Sequence, residues 1–211
     1  MVKVAILGIG VVGGGTAEVL TKNRDLIARR AGSEIEVKYI LCRRPRPDHP
    51  FAHLIVHDIE TVANDPEIKV VAECIGGATL AYEYVKRCLS AGKSVVTSNK
   101  ELVAEKGLEL TALARKMGVN FMFEASVGGG IPILRPLCQC LAANEISSVC
   151  GILNGTTNYI LTEMVQMGKS FDLALREAQQ KGYAEADPTA DVGGFDAAAK
   201  IAILVHQTQH H

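Results

Sequence analysis

An α/β fold, with helices on both faces of a parallel sheet, is predicted by three features of this sequence. Short apolar runs rich in β-branched residues alternate with helical segments through the first two thirds of the chain. A G-x-G-x-x-G turn stands between the first apolar run and the first helix. The alternation stops after Ser126, where a glycine turn opens a region of different character.

The segments follow in order. "KVAILGI" (3–9) is a buried strand, and its glycines separate it from a signal peptide, as does the lack of a cleavage site. Apolar residues at 12, 19, 20, 26 and 27 predict a helix over 12–31. "IEVKYILC" (35–42) and "KVVAECI" (69–75) read as strands, and a helix covers roughly 79–91. "KSVVTS" (93–98) is a strand, 100–117 a helix, and "VNFMFEAS" (119–126) a further strand. "VGGGIP" (127–132) is a glycine turn closed by proline, suited to a domain junction. Beyond it we expect a helix over 133–143, a strand of a different sheet over 145–155, helices over 156–168 and 171–181, an acidic loop, and a last helix from Asp196. The predicted organisation is a dinucleotide-binding domain over 1–128 and a substrate-binding, catalytic domain over 129–211.

Composition narrows the function. The chain has 211 residues, enough for a real core. A net charge of −1 gives no reason to expect nucleic acid or an acidic membrane as partner. No apolar run is long enough to span a bilayer. Six cysteines lie mostly in apolar segments, and the Cys138/Cys140 pair has no histidine or second pair nearby to complete a zinc site. Reduced thiols in a cytoplasmic protein are expected.

In the glycine turn, Gly8 permits the tight bend, Gly10 opens the backbone to a pyrophosphate, and Gly13 lets helix and strand pack closely. With Val11 and Val12 these residues form a candidate cofactor site at a helix N-terminus, which favours an anion. The strand after it ends "LCRRPRP", without the acid that would bind ribose hydroxyls. Arg43 and Arg44 suit a 2′-phosphate and so NADP, with NAD as an accepted second; a solvated basic loop is the other reading. "TSNK" ends a strand and opens a helix, which puts Lys100 where ligands of an open parallel sheet sit, though an ordinary surface lysine fits the spacing equally.

"GYAEADPTADVGGFDAAAK" (182–200) gathers Glu185, Asp187, Asp191 and Asp196 ahead of Lys200. Asp196 and Lys200 stand i, i+4 and share a helix face. An exposed pair would be worth well under ~1 kcal/mol. The alanines, isoleucines, leucine and valine around them predict a largely buried helix, where an idle charge pair would be costly. Asp187 and Asp191 fit turn formation or capping at least as well as substrate contact.

With "EASVGGGIPILRPL" (124–137), "GILNGTTNYILTEM" (151–164) and "GYAEADPTADVGGFDAAAK" in this order, the sequence resembles homoserine dehydrogenase from about Val2 to Leu204. The resemblance implies a Rossmann-type cofactor domain joined to an α/β substrate and dimerisation domain, of which this chain carries a part. It implies reduction of aspartate 4-semialdehyde to homoserine with NADPH or NADH, on the route to threonine, methionine and isoleucine. A homo-oligomer, dimer or tetramer, is implied too. By resemblance Lys100 lies near nicotinamide and substrate, Glu185 holds the amino acid, and Asp196 and Lys200 stand at the reacting centre; Asp191 is a further substrate-binding candidate. Lys200 is then the proton donor to the carbonyl oxygen. A sodium-like monovalent cation is implied at Glu124, Val127, Gly129 and Ile131.

This chemistry agrees with the residue types. Hydride addition to an aldehyde develops alkoxide charge, which a positioned ammonium stabilises and protonates. The family pattern continues past "FDAAAK", whereas here the tail departs at about His206. A short chain is therefore expected to have an incomplete pocket and to associate. The alternative function is a non-catalytic dinucleotide-binding module. A reductase for another semialdehyde or imino acid would share the glycine turn but would not explain "GILNGTTNYILTEM".

Overall fold

A computed structural model describes residues 1–209, in two compact units that divide after Gly129. The first carries a six-stranded parallel sheet. Its strands are β1 (Val2–Leu7), β2 (Ile35–Leu41), β3 (Ile55–Val56), β4 (Ile68–Glu73), β5 (Ser94–Thr97) and β6 (Phe121–Met122). Their spatial order is β3-β2-β1-β4-β5-β6, so the direction of winding reverses between β1 and β4. In such sheets ligands lie outside the carboxyl ends of the strands at that reversal.

Both faces of the sheet are covered, as the unbroken apolar runs require. Leu7, Leu41, Val71, Val85, Leu89 and Leu102 belong to one buried cluster, and Ile6, Ile9, Ala17 and Ile40 to another. Each large side chain so buried contributes roughly 1.5–3 kcal/mol. The covering helices are α1 (Val11–Lys22), α2 (Arg24–Ala31), α3 (Ile59–Ala63), α4 (Thr79–Ser90) and α5 (Lys100–Met117), and a short α6 (Ala125–Gly128) follows β6.

Two departures from expectation fall in this unit, together with one stretch to which the sequence assigned no element. The helix expected over 12–31 is two helices, broken where Asn23 leaves helical geometry at φ −103°, ψ 21°. The strand expected over 119–126 is confined to Phe121–Met122, paired with Val95 and Val96. Beyond this pairing β5 has only Thr97 before the chain turns into the cap of α5, so a longer β6 would have almost no strand to pair with. The stretch after "LCRRPRP" forms a 3₁₀ turn at Ala52–Leu54, β3 and α3, whose start is capped by Asp58 accepting from Glu60 N–H at 3.0 Å.

The second unit, from Gly130, contains helices only among the described residues: a π-helical turn at Pro136–Cys140, then α7 (Gly155–Met167), α8 (Phe171–Gln180), α9 (Thr189–Val192) and α10 (Phe195–Gln209). Asn154 caps α7 and Ser170 caps α8. The strand expected over 145–155 is not formed. The segment is irregular with Ile152 77% exposed, because the described residues offer it no strand to pair with. The helix at α10 is less buried than its apolar sequence predicts: Asp196, Ile203 and Leu204 form one buried stripe, while Phe195, Ala198, Ala202 and Val205 are exposed. No helix among the described residues is long and apolar enough to cross a membrane.

Candidate functional site

The candidate residues lie in two groups, one in each unit. In the first, the glycine turn joins β1 to α1. Gly8 has φ +100°, and a Cβ there would stand 2.9 Å from the Cys74 carbonyl oxygen. A Cβ on Gly13 would stand 2.1 Å from the Gly8 carbonyl oxygen, so this helix-to-turn contact admits only glycine. Above Gly10 nothing lies within 4 Å of where a Cβ would sit, and Val11 and Val12 are exposed. With glycine as N-cap, no side chain caps the first amides of α1. A close-packed base, an open crest and free amide donors are what a pyrophosphate needs.

Arg43 and Arg44 follow β2 and are exposed. With Gly8, Cys42, Leu80 and Tyr84 they line one pocket beside the glycine turn. The ring of His57 braces this corner, its Nδ1 donating to the Cys42 carbonyl at 2.6 Å.

At the carboxyl ends of β4 and β5, Asn99 caps α5 through Oδ1, which accepts from Leu102 N–H at 3.1 Å. That leaves its Nδ2 to donate to the carbonyls of Ile75 (3.1 Å) and Gly77 (2.8 Å). Lys100 is half-buried at the first position of α5. Glu73 ends β4 fully buried, a residue the sequence reading passed over. Its signal was an acid inside the apolar run "KVVAECI". Burial pushes its carboxyl above the usual range, and the adjacent Cys74 thiol is pushed up to about 11, by burial first and then by Glu73.

The second group centres on Asp196, 3% exposed on α10. Its Oδ2 accepts from Lys200 Nζ at 2.9 Å and from Asn154 Nδ2 at 2.8 Å. Lys200 also donates to the Leu153 carbonyl at 2.8 Å. Asn154 Nδ2 reaches Asp191 Oδ1 at 2.7 Å as well, so one amide group binds both carboxylates. Its Oδ1 accepts from Thr157 N–H at 2.8 Å, which fixes the amide's orientation. Asn154 was absent from the sequence-derived set. An asparagine opening a helix before "GTT" signals a cap, but nothing local signals carboxylates some 40 residues away.

Of the acidic stretch, Asp191 joins this cluster and Glu185 does not: Glu185 is exposed, and its carbonyl accepts from Gln179 Nε2 at 3.1 Å. Asp187 is turn chemistry, accepting from Thr189 Oγ1 (2.6 Å) and N–H (3.1 Å), and these bonds hold its carboxyl below the usual range. Tyr183 packs edge-on to Tyr159 with ring centroids 5.1 Å apart, beside a pocket lined by Gly155, Thr156 and Thr162. Glu124, Val127 and Gly129 lie at the end of the first unit, Val127 buried and Gly129 at φ +59°, while Ile131 is in the second. No three His, Cys, Asp or Glu side chains gather as a metal-binding group among the described residues.

Residues 8–124 match the sequence family described as homoserine dehydrogenase, NAD binding domain, and residues 132–211 match homoserine dehydrogenase. The chain belongs to the homoserine dehydrogenase family. It is 53% identical over 204 residues to the homoserine dehydrogenase of Pseudomonas aeruginosa, covering 96% of this chain and 47% of that protein. Among solved structures, the homoserine dehydrogenase of Thiobacillus denitrificans is 48% identical with a TM-score of 0.88, covering 96% of this chain and 48% of that one. A hyperthermophilic archaeal homoserine dehydrogenase solved in complex with NADPH is 27% identical with a TM-score of 0.86, over 100% of this chain and 70% of that one. The chain thus spans about half the length of the curated relatives it matches.

Proposed function

We propose that this chain carries the nucleotide-binding and catalytic residues for NAD(P)H-dependent reduction of L-aspartate 4-semialdehyde to L-homoserine. The observation that carries the reading is the ion pair of Asp196 and Lys200, held by the Asn154 amide and the Leu153 carbonyl. Among the described residues Lys200 Nζ gives two of its three protons to these partners, and the third is the one to aim at a substrate oxygen.

The nicotinamide, when bound, supplies the hydride. The protein's part is to bind and orient. Gly8, Gly10, Val11, Val12 and Gly13 cradle the pyrophosphate, and Arg43 and Arg44 take the 2′-phosphate, which favours NADP while NAD is accepted. Lys100 serves the nicotinamide and substrate end. Glu185 pairs with the substrate's α-ammonium, and Asp191 orients the site through Asn154. As alkoxide charge develops on the aldehyde oxygen, Lys200 stabilises it and delivers the proton, while Asp196 holds the ammonium in place. Glu124 with the carbonyls of Val127, Gly129 and Ile131 is an all-oxygen donor set, which suits a hard cation such as sodium. We further read the protein as a cytoplasmic homo-oligomer, from its six cysteines set mostly in apolar segments and the exposed apolar residues of the second unit.

The test is oxidation of NADPH, then NADH, followed at 340 nm with aspartate 4-semialdehyde, beside Lys200→Ala. The expected result is turnover that falls by about 10²–10⁴ in the variant while NADPH binding persists. NADPH binding without turnover in the unaltered chain would favour a dinucleotide-binding module. Absence of both would end the reading.

A further inference from the structure

We infer that Glu73 is a positioning residue for the nicotinamide half of the bound dinucleotide: it ties the loop after β4 to the cap of α5, beside the glycine turn. The inference rests on the dinucleotide reading above.

Glu73 lies at the carboxyl end of β4, and β4 pairs with β1 where the winding of the sheet reverses. It is 1% exposed, where an apolar side chain would cost nothing and an acid costs its desolvation. Both of its oxygens are used. Oε1 accepts from Ile75 N–H at 2.5 Å, and Oε2 accepts from Thr97 Oγ1 at 2.5 Å. Thr97 Oγ1 in turn accepts from Asn99 N–H at 2.9 Å, so its own proton is directed to Glu73. Asn99 then closes the circuit through the carbonyls of Ile75 and Gly77. One buried carboxylate therefore governs both the amide and, through Thr97 and Asn99, the carbonyls of the same exposed loop.

That loop has a ligand-facing build. Gly76 and Gly77 are exposed and carry no side chain, and Gly77 sits at φ +78°. Its base presses on the glycine turn, since a Cβ at Gly8 would meet the Cys74 carbonyl oxygen and the Ile75 side chain. A dinucleotide lies across the reversal with its pyrophosphate on the glycine turn and its adenosine ribose at the end of β2. Arg43 and Arg44 occupy the β2 side. The other half of the ligand then falls on the β4 and β5 side, where the Glu73 circuit and Lys100 are.

The experiment compares two ligands on the whole chain. NADPH reports both halves, by its own fluorescence. 2′,5′-ADP reports the adenosine half only, by calorimetry. Glu73→Gln keeps the shape but turns one of the two acceptor oxygens into a donor, so that only one of Ile75 N–H and Thr97 Oγ1–H keeps its acceptor. It should weaken NADPH about tenfold or more and leave 2′,5′-ADP within about twofold. Thr97→Val should show the same split, and Thr97→Ser, which keeps the hydroxyl, should restore NADPH affinity. Unchanged NADPH affinity in both Glu73→Gln and Thr97→Val would overturn the inference. So would equal weakening of both ligands, which marks general damage to the domain. If Glu73→Gln does not fold, the Thr97 pair decides alone. An unaltered chain that binds neither ligand would refute the dinucleotide reading itself, a failure distinct from these.

Discussion

The two units hold themselves together by different means. The first closes apolar clusters on both faces of its sheet, with Leu7, Ile40, Val85, Leu89, Leu102 and Leu110 at 0% exposure. In the second, a small cluster joins Ile160 with Ala174, Ala178 and Ala184, and Ile203 and Leu204 are buried on α10, while Ile152, Val165 and Met167 are largely exposed. Its other organising feature is polar: Asn154 joining α7 to the acids of α9 and α10. Apolar burial is non-directional and tolerant, whereas a buried polar cluster depends on every member. The first unit is thus a scaffold that presents glycines and amides, and the second is a site whose own chemistry supports its fold.

The largest test of this contrast is Leu89→Ala in the first unit, which should cost about 2–5 kcal/mol by transfer and cavity terms. Chemical denaturation followed by hydrogen exchange on β1 and β4 would measure it, and a cost below 1 kcal/mol would break the contrast from the apolar side. Next comes Lys200→Ala. It strips the ion pair from a buried carboxylate and should cost about 3 kcal/mol, lessened where Asn154 still donates to Asp196. Protection lost in α7 and α10, with the sheet unaltered, is the expected pattern. Unchanged protection there would mean that the cluster serves function alone.

Asn154 sharpens the point. Asn154→Ala removes the helix cap and the donors to two carboxylates, together about 2 kcal/mol. Asn154→Ser keeps a cap without reaching the carboxylates, so its cost should be roughly half as large. Equal costs for the two would assign the whole effect to Asp191 and Asp196.

The smallest effect is at the rim of the first unit, where Lys38 bonds both Asp65 and Glu67. The Lys38 ammonium holds the Asp65 carboxyl down at about 2. A carboxyl lowered on folding stabilises above its unfolded value, about 3.9, and that stabilisation is lost as pH falls through the folded value. Asp65→Asn should therefore flatten the stability profile between about pH 4 and 2 and alter it little at pH 7 relative to its own plateau. A profile parallel to the unaltered chain in acid would show that this pair is screened, as exposed pairs often are.

Much of the first unit was legible in the chain. Periodicity located β1, β2, β4, β5, α4 and α5, because a buried strand and an amphipathic helix write their burial into local residue order. The glycine turn was legible because backbone geometry at Gly8 and Gly13 excludes any other residue. Asp196 and Lys200 were legible as a pair because four residues span one helical turn. What lay outside local order was decided only in three dimensions. Edge strand β6 stops where β5 leaves it, and 145–155 stays irregular, because pairing depends on a neighbour and not on propensity alone. The burial of α10 on one stripe depends on what packs against it. Asn154 became part of the acidic site, and Glu73 the hub of the β4–β5 crest, only when folding brought partners 37, 42 and 24 residues apart within hydrogen-bond reach. The sequence alone determined which groups could do the chemistry; the tertiary structure decided which hold one another in place, since a hydrogen bond is set by distance and direction, not by sequence separation.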